Sequence, residues 1–180
     1  GYNPRATGAP SWLEFVRGNE DLSPDQVEVL SRHQGFLSAL ESTPMTKSYK
    51  MVTLAAMLNE AAFPGSLEVT GLVAAVRRIV ERSAALQADF GDGLATDASL
   101  QTLLEDNPIN AWVSGQGTGQ TSYFRYQDGR FSTVLDEPPA TREGLQGLVR
   151  ELVDWRLADY LRRAIGASAE TEAIVCKVIQ

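Results

Sequence analysis

The sequence predicts a mainly α domain carrying one β-hairpin, an α+β fold. Three observations carry that prediction. Apolar residues recur at helical spacing along much of the 180 residues, as at Met51, Leu54 and Leu58. Helix-starting signals stand ahead of such stretches: Ser23-Pro24-Asp25 offers a cap, a proline at the first helical position and an acid in the first turn. Finally, Tyr123-Phe-Arg-Tyr126 and Arg130-Phe-Ser-Thr-Val134 flank Gln127-Asp128-Gly129, a β-hairpin signal.

Taken in order, residues 1–10 hold two prolines and two glycines and read as an extended lead-in. Trp12, Phe15 and Val16 make a short helical face ending near Gly18. The helix opened by Ser23 turns Val27, Leu30, Phe36, Leu37 and Leu40 to the core, with a break at Gly35. Thr46 caps a helix over 46–62, which Phe63-Pro64-Gly65 closes. Residues 69–83 form an amphipathic helix with Leu72, Val76, Ile79 and Val80 inward and Arg77, Arg78 and Arg82 outward. A loop at Gly91-Asp-Gly93 precedes a helix capped by Thr96 or Asp97, which runs over 97–106 and stops before Pro108. Asn107 to Trp112 starts a further turn of helix or bends back over the core. Ser114 to Gln120, with three glycines, reads as a flexible linker ahead of the hairpin near 122–135. Pro138-Pro139 breaks the chain again, and Thr141 opens a long helix to about Ile165, its arginines alternating with acids as on a solvated face. Three helices and then a hairpin is the element order of a winged helix, here with an added C-terminal long helix. Residues 11–167 thus form one domain, and 168–180 alternate like a strand. Because the chain starts Gly1-Tyr-Asn-Pro and stops in mid-strand, it is read as a piece of a longer protein.

Composition narrows the function. With 43% hydrophobic and 22% charged residues the chain can build a core. A formal charge of −7 argues against a broadly basic surface that coats nucleic acid, but leaves room for a local basic patch. The one cysteine, Cys176, excludes an internal disulfide and sits on the inward side of its strand-like run. A cytoplasmic setting fits, and neither a membrane-spanning run nor a lipidation motif is seen. No cofactor and no metal are expected.

The most distinctive stretch is Thr43-Pro-Met-Thr-Lys-Ser-Tyr-Lys50. On a helix Lys47 and Lys50 share a face, with Ser48 and Tyr49 beside them. Cations at a helix N-terminus oppose the helix dipole, a placement that suggests an external anion or an acidic partner. The plainer reading is a solvated first turn with Tyr49 packed on the core. Arg125 and Arg130 on the hairpin are placed to enter a groove as a wing does, or to pair across strands with acids. The glycines at 115, 117 and 119 do not make a phosphate loop, since no Gly-Lys-Ser/Thr follows and a strand comes next. His33, the only histidine, lies in a polar Ser-Arg-His-Gln stretch and reads as a solvated helical residue. Glu105 and Asp106 could form a metal corner, but Glu172 and Lys177 are wrongly spaced for a nuclease pattern. No catalytic residues are expected in this chain.

Residues 43–58 resemble a block found after the motor in large bacterial superfamily II (DEAD/DEAH-type) helicases. The Phe-Pro-Gly turn at 63–65, the Asn-Pro-Ile-Asn-Ala-Trp block at 107–112, the Tyr-Phe…Gly-Arg-Phe hairpin at 123–131 and the Val-Cys-Lys-Val run at 175–178 extend the resemblance over roughly residues 12–180. It implies an accessory C-terminal region of an ATP-dependent helicase, of the kind found in restriction or phage-defence systems. The motor's nucleotide-binding motifs are absent from this sequence, so this region itself is not expected to hydrolyse ATP. The leading expectation is a non-catalytic accessory domain that engages the DNA backbone beside the motor. Its candidate contacts are Lys47, Ser48, Tyr49, Lys50, Arg77, Arg78, Arg125 and Arg130. The alternative is a structural or protein-interaction domain that packs on the remaining domains of the parent protein or on a partner subunit. A surface map separates the two: one continuous basic patch favours DNA, whereas scattered arginines, each beside an acid, favour protein contact.

Overall fold

Helical periodicity and capping chemistry place most of the elements. A computed structural model describes residues 11–18 and 22–164. The predicted lead-in at 1–10, the strand at 168–180 and Cys176 lie outside the described residues. Helix α1 spans Trp12–Gly18, α2 Pro24–Arg32 and α3 Gln34–Ser42. Ser23 caps α2 with a full capping box: its hydroxyl accepts from the Gln26 backbone N–H, and the Gln26 side chain accepts from the Ser23 N–H. The break between α2 and α3 falls at His33, not at Gly35. Gly35 lies inside α3, where its missing side chain leaves room for Tyr123: a Cβ there would sit 3.1 Å from the Tyr123 hydroxyl. Val27, expected in the core, is 54% exposed, and Val29 is buried instead.

Helix α4 (Tyr49–Asn59) starts two residues later than a cap at Thr46 would place it, with Ser48 at the cap position. Lys47 therefore precedes the helix and Lys50 lies within it, so the two lysines do not share a helical face. Met51, Val52, Leu54 and Met57 of α4 are all fully buried, the pattern of a helix surrounded by its own protein. Helix α5 (Val69–Val80) packs on one side of it and α9 (Arg142–Ala164) on another. Between α5 and α7 (Asp97–Leu104) the chain makes an additional helix, α6 (Ala84–Phe90), capped by Ser83, and a 3-10 turn at Gly91–Leu94. Pro108 does not end the helical path. Residues Glu105–Ile109 widen into a π turn, closed by the Asn110 N–H on the Glu105 carbonyl, and lead into α8 (Asn110–Val113). The wider turn accommodates a residue that has no N–H to give and whose ring would crowd an α-helical carbonyl.

The hairpin forms as β2 (Phe124–Gln127) and β3 (Arg130–Thr133) around Asp128 and Gly129, both at positive φ (51° and 72°), as a tight two-residue hairpin turn requires. A third strand, β1 (Ser66–Glu68), pairs antiparallel with β3, giving the order β1-β3-β2. Phe124 and Phe131 stack at 5.1 Å between ring centroids, and Phe124 meets Trp112 at 5.0 Å, so one face of the sheet closes the core over α8. The molecule is thus mainly helical with a small antiparallel sheet. No helix among the described residues is long and apolar enough to cross a membrane.

Candidate functional site

The N-terminus of α4, where the two lysines suggest an external anion or an acidic partner, receives a carboxylate from the chain itself. Asp89, on α6, accepts from the Ser48 backbone N–H at 2.9 Å and from the Tyr160 hydroxyl at 2.8 Å. Its carbonyl accepts from the Tyr49 hydroxyl at 2.7 Å, and Lys47 Nζ lies 3.5 Å from its carboxylate. A carboxylate at this end of a helix meets free N–H groups and the favourable end of the dipole. Burial raises the Tyr160 phenol above its ordinary value, and the bond to Asp89 raises it further. Burial likewise raises Tyr49.

Lys50 turns away from this group. Its ammonium donates to Gln116 O at 2.7 Å and Thr43 Oγ1 at 3.0 Å, and stands 5.1 Å from the Trp112 ring centre. Burial lowers its pKa, and Arg156 lowers it further. The glycine-containing stretch that Lys50 holds is not the flexible linker read from its composition. Gln116 N–H donates to Ala111 O, Gln120 N–H to Gly115 O, and the buried Thr118 hydroxyl bonds within the loop.

The arginines are dispersed. Arg77 reaches Asp97 at 2.9 Å and Leu94 O at 3.0 Å, fastening α5 to the start of α7. Arg78 pairs with Glu60 and Arg130 with Glu68. Arg125 is exposed on β2, its guanidinium without a partner among the described residues. Lys47, Ser48 and Tyr49 are brought together on Asp89, while Lys50, Arg77, Arg78 and Arg130 each have different partners. Along α9, Arg162 and Arg163 pair with Asp159 on an exposed face, as their alternation with acids suggests, whereas three other arginines fasten elements. Arg142 donates to Pro64 O, Arg150 to Asn59 Oδ1, and Arg156 to the carbonyls of Glu41 and Thr43.

Two further acids have partners that the sequence does not announce: Glu137, and Glu105, which bonds to side chains where the sequence offers a metal corner. Glu137, its side chain fully buried, meets His33 Nε2, Arg32 Nη1 (3.0 Å) and the Thr141 hydroxyl. His33 is accordingly buried and not solvated, because Glu137 gives its ring a polar partner inside the fold. Glu105 accepts from Tyr126 OH at 2.5 Å and from Gln101, and burial with this bond pushes the Tyr126 phenol up to about 12. Among the described residues no group of three or more His, Cys, Asp or Glu is arranged to hold a metal ion. No family model matches the chain, and neither a curated protein nor a solved structure matches it.

Proposed function

We propose that this chain is a non-catalytic accessory domain of a helicase-like protein that works by protein contact, docking on the motor or on a partner subunit. In this reading α4–β1–α5–α7–β2–β3 is a winged-helix-like core to which α9 is added. The strand between the first two helices and the β1-β3-β2 order support that core. The observation that carries protein contact is the charge on the helix standing where a winged helix presents its recognition helix. From Asp97 to Val113 that path holds Asp97, Glu105 and Asp106 and no lysine or arginine. Such a surface repels phosphates, whose neutralisation supplies most non-specific DNA affinity. The acid-paired arginines Arg77, Arg78 and Arg130 point the same way.

DNA engagement is the competing reading, favoured by the unpartnered Arg125 and by Lys47, whose side chain is 47% exposed. Binding to labelled single- and double-stranded DNA across a salt series separates the two, with Lys47→Ala and Arg125→Ala beside the parent chain. Protein contact predicts no salt-sensitive binding. Binding whose log–log salt slope is about −3, and which the variants lose, overturns it in favour of DNA.

A further inference from the structure

A cleft of about 500 Å³ opens between the C-terminal ends of α4 and α5, the middle of α9 and α6. This is within the size range of ligand-binding clefts. Its floor is aliphatic, with Leu58, Leu86 and Leu157 buried and Ile79 half-buried. Three arginines line it, Arg78, Arg82 and Arg150, against two acids, Glu60 and Asp154. Three against two is a local excess of positive charge in a chain whose formal charge is −7. The pairing inside the cleft leaves donors over: Arg78 takes Glu60, Arg150 takes the amide oxygen of Asn59, and the exposed Arg82 guanidinium has no partner among the described residues.

We propose that this cleft docks a polypeptide segment presenting a carboxylate beside an aliphatic side chain. The aliphatic group rests on Leu58, Ile79 and Leu157, and the carboxylate accepts from the Arg82 fork, a charge-assisted geometry suited to guanidinium. Two features weigh against nucleic acid as the occupant. No aromatic side chain lines the cleft to stack a base, and Glu60 and Asp154 interrupt its arginines, so it offers one free guanidinium and not the row of cations that a phosphate backbone needs. This proposal deepens the protein-contact reading and rests on it.

The test is a methyl-NMR titration of the whole chain with three probes: a short acetylated peptide of leucine and glutamate, the same peptide with glutamine for glutamate, and an oligothymidylate. The glutamate peptide is expected to shift the methyls of Leu58, Ile79, Leu86 and Leu157, and the glutamine peptide to bind about tenfold more weakly. Arg82→Glu should abolish the shifts while leaving the melting temperature unchanged, since this side chain holds no other element. Absence of shifts at millimolar peptide, equal binding of the glutamine peptide, or indifference to Arg82→Glu overturns the proposal. Silence towards all three probes removes the cleft and leaves protein contact standing. Oligothymidylate shifts in the cleft overturn both.

Discussion

Asp89 and Glu137 each collect donors from elements distant in the chain, so that directed bonds replace the water each carboxylate gives up on folding. For Glu137 the balance carries a pH dependence. Burial, the largest single influence, pushes this carboxyl up, but the bonds from Thr141, His33 and Arg32 together outweigh it and leave it below its ordinary 4.5. A carboxylate lowered in the folded state contributes stability that is fully present above its unfolded value. That stability is lost as pH falls from 4.5 through the lower folded value. The urea midpoint should therefore drop as pH is taken from about 5 to about 3, and drop less in Glu137→Gln. At neutral pH the Gln variant should be less stable by on the order of 2–3 kcal/mol, because Arg32 loses its buried counter-charge and the His33 ring loses its carboxylate partner. Parallel pH curves for the two proteins would show that Glu137 does not carry the dependence.

Among the elements, the 114–120 loop shows how composition misleads about order. Gly117 has φ +82°, and a Cβ there would lie 2.9 Å from Pro44 Cδ and Thr43 Oγ1 and 3.3 Å from Lys50 Nζ. Gly119 has φ +65° with nothing within 4 Å. Gly119→Ala should thus cost only the left-handed backbone, about 1 kcal/mol, and Gly117→Ala about 3 kcal/mol, since it also pushes Lys50 from Gln116 O. Equal losses in chemical denaturation would mean the loop is not packed on α4. What was legible in the sequence is what adjacent residues determine: the Ser23 and Thr96 caps, the periodicity of α5 and α9, and the Asp128-Gly129 turn. Helix α6 carries a signal too, the Ser83 cap followed by Leu86 and Phe90 four apart, but its seven residues are too few for periodicity to mark it. Strand β1 was hidden because three residues define no alternation and their partner lies on β3, more than sixty residues on. The acidic centres were hidden for the same reason: His33 and Glu137 are 104 residues apart, and nothing beside either announces the other. Among the candidate contacts, each basic residue was visible as a residue type; the acids that take up Lys47, Arg77, Arg78 and Arg130 were not.

Across the whole molecule, α4 belongs to two packing groups, one with α5 and the sheet, the other with α2, α3 and α9. Arg156 and Tyr160 of α9 add polar ties to the segment entering α4, through Thr43 O and through Asp89. Such sharing couples the groups: α4, whose Met51, Val52, Leu54 and Met57 are fully buried, packs on both α5 and α9, so losing α9 returns apolar surface of α4 to water. The two groups should therefore unfold together. Trp112 reports on the sheet side, where it packs against Phe124, and Trp155 reports on α9. With Trp12 and one of these two changed to Phe, urea unfolding followed by the remaining tryptophan should coincide with unfolding followed by far-UV circular dichroism in both variants. Two separated transitions would show that α9 and the group of α5 with the sheet are independent units. The docking cleft depends on this outcome, because its walls come from both groups: Arg78 and Arg82 from α5 and its end, Arg150 and Leu157 from α9. Only if the groups hold one geometry is the aliphatic floor assembled beside Arg82 before a segment arrives, so that binding bears the ordering of that one side chain and not the assembly of the site.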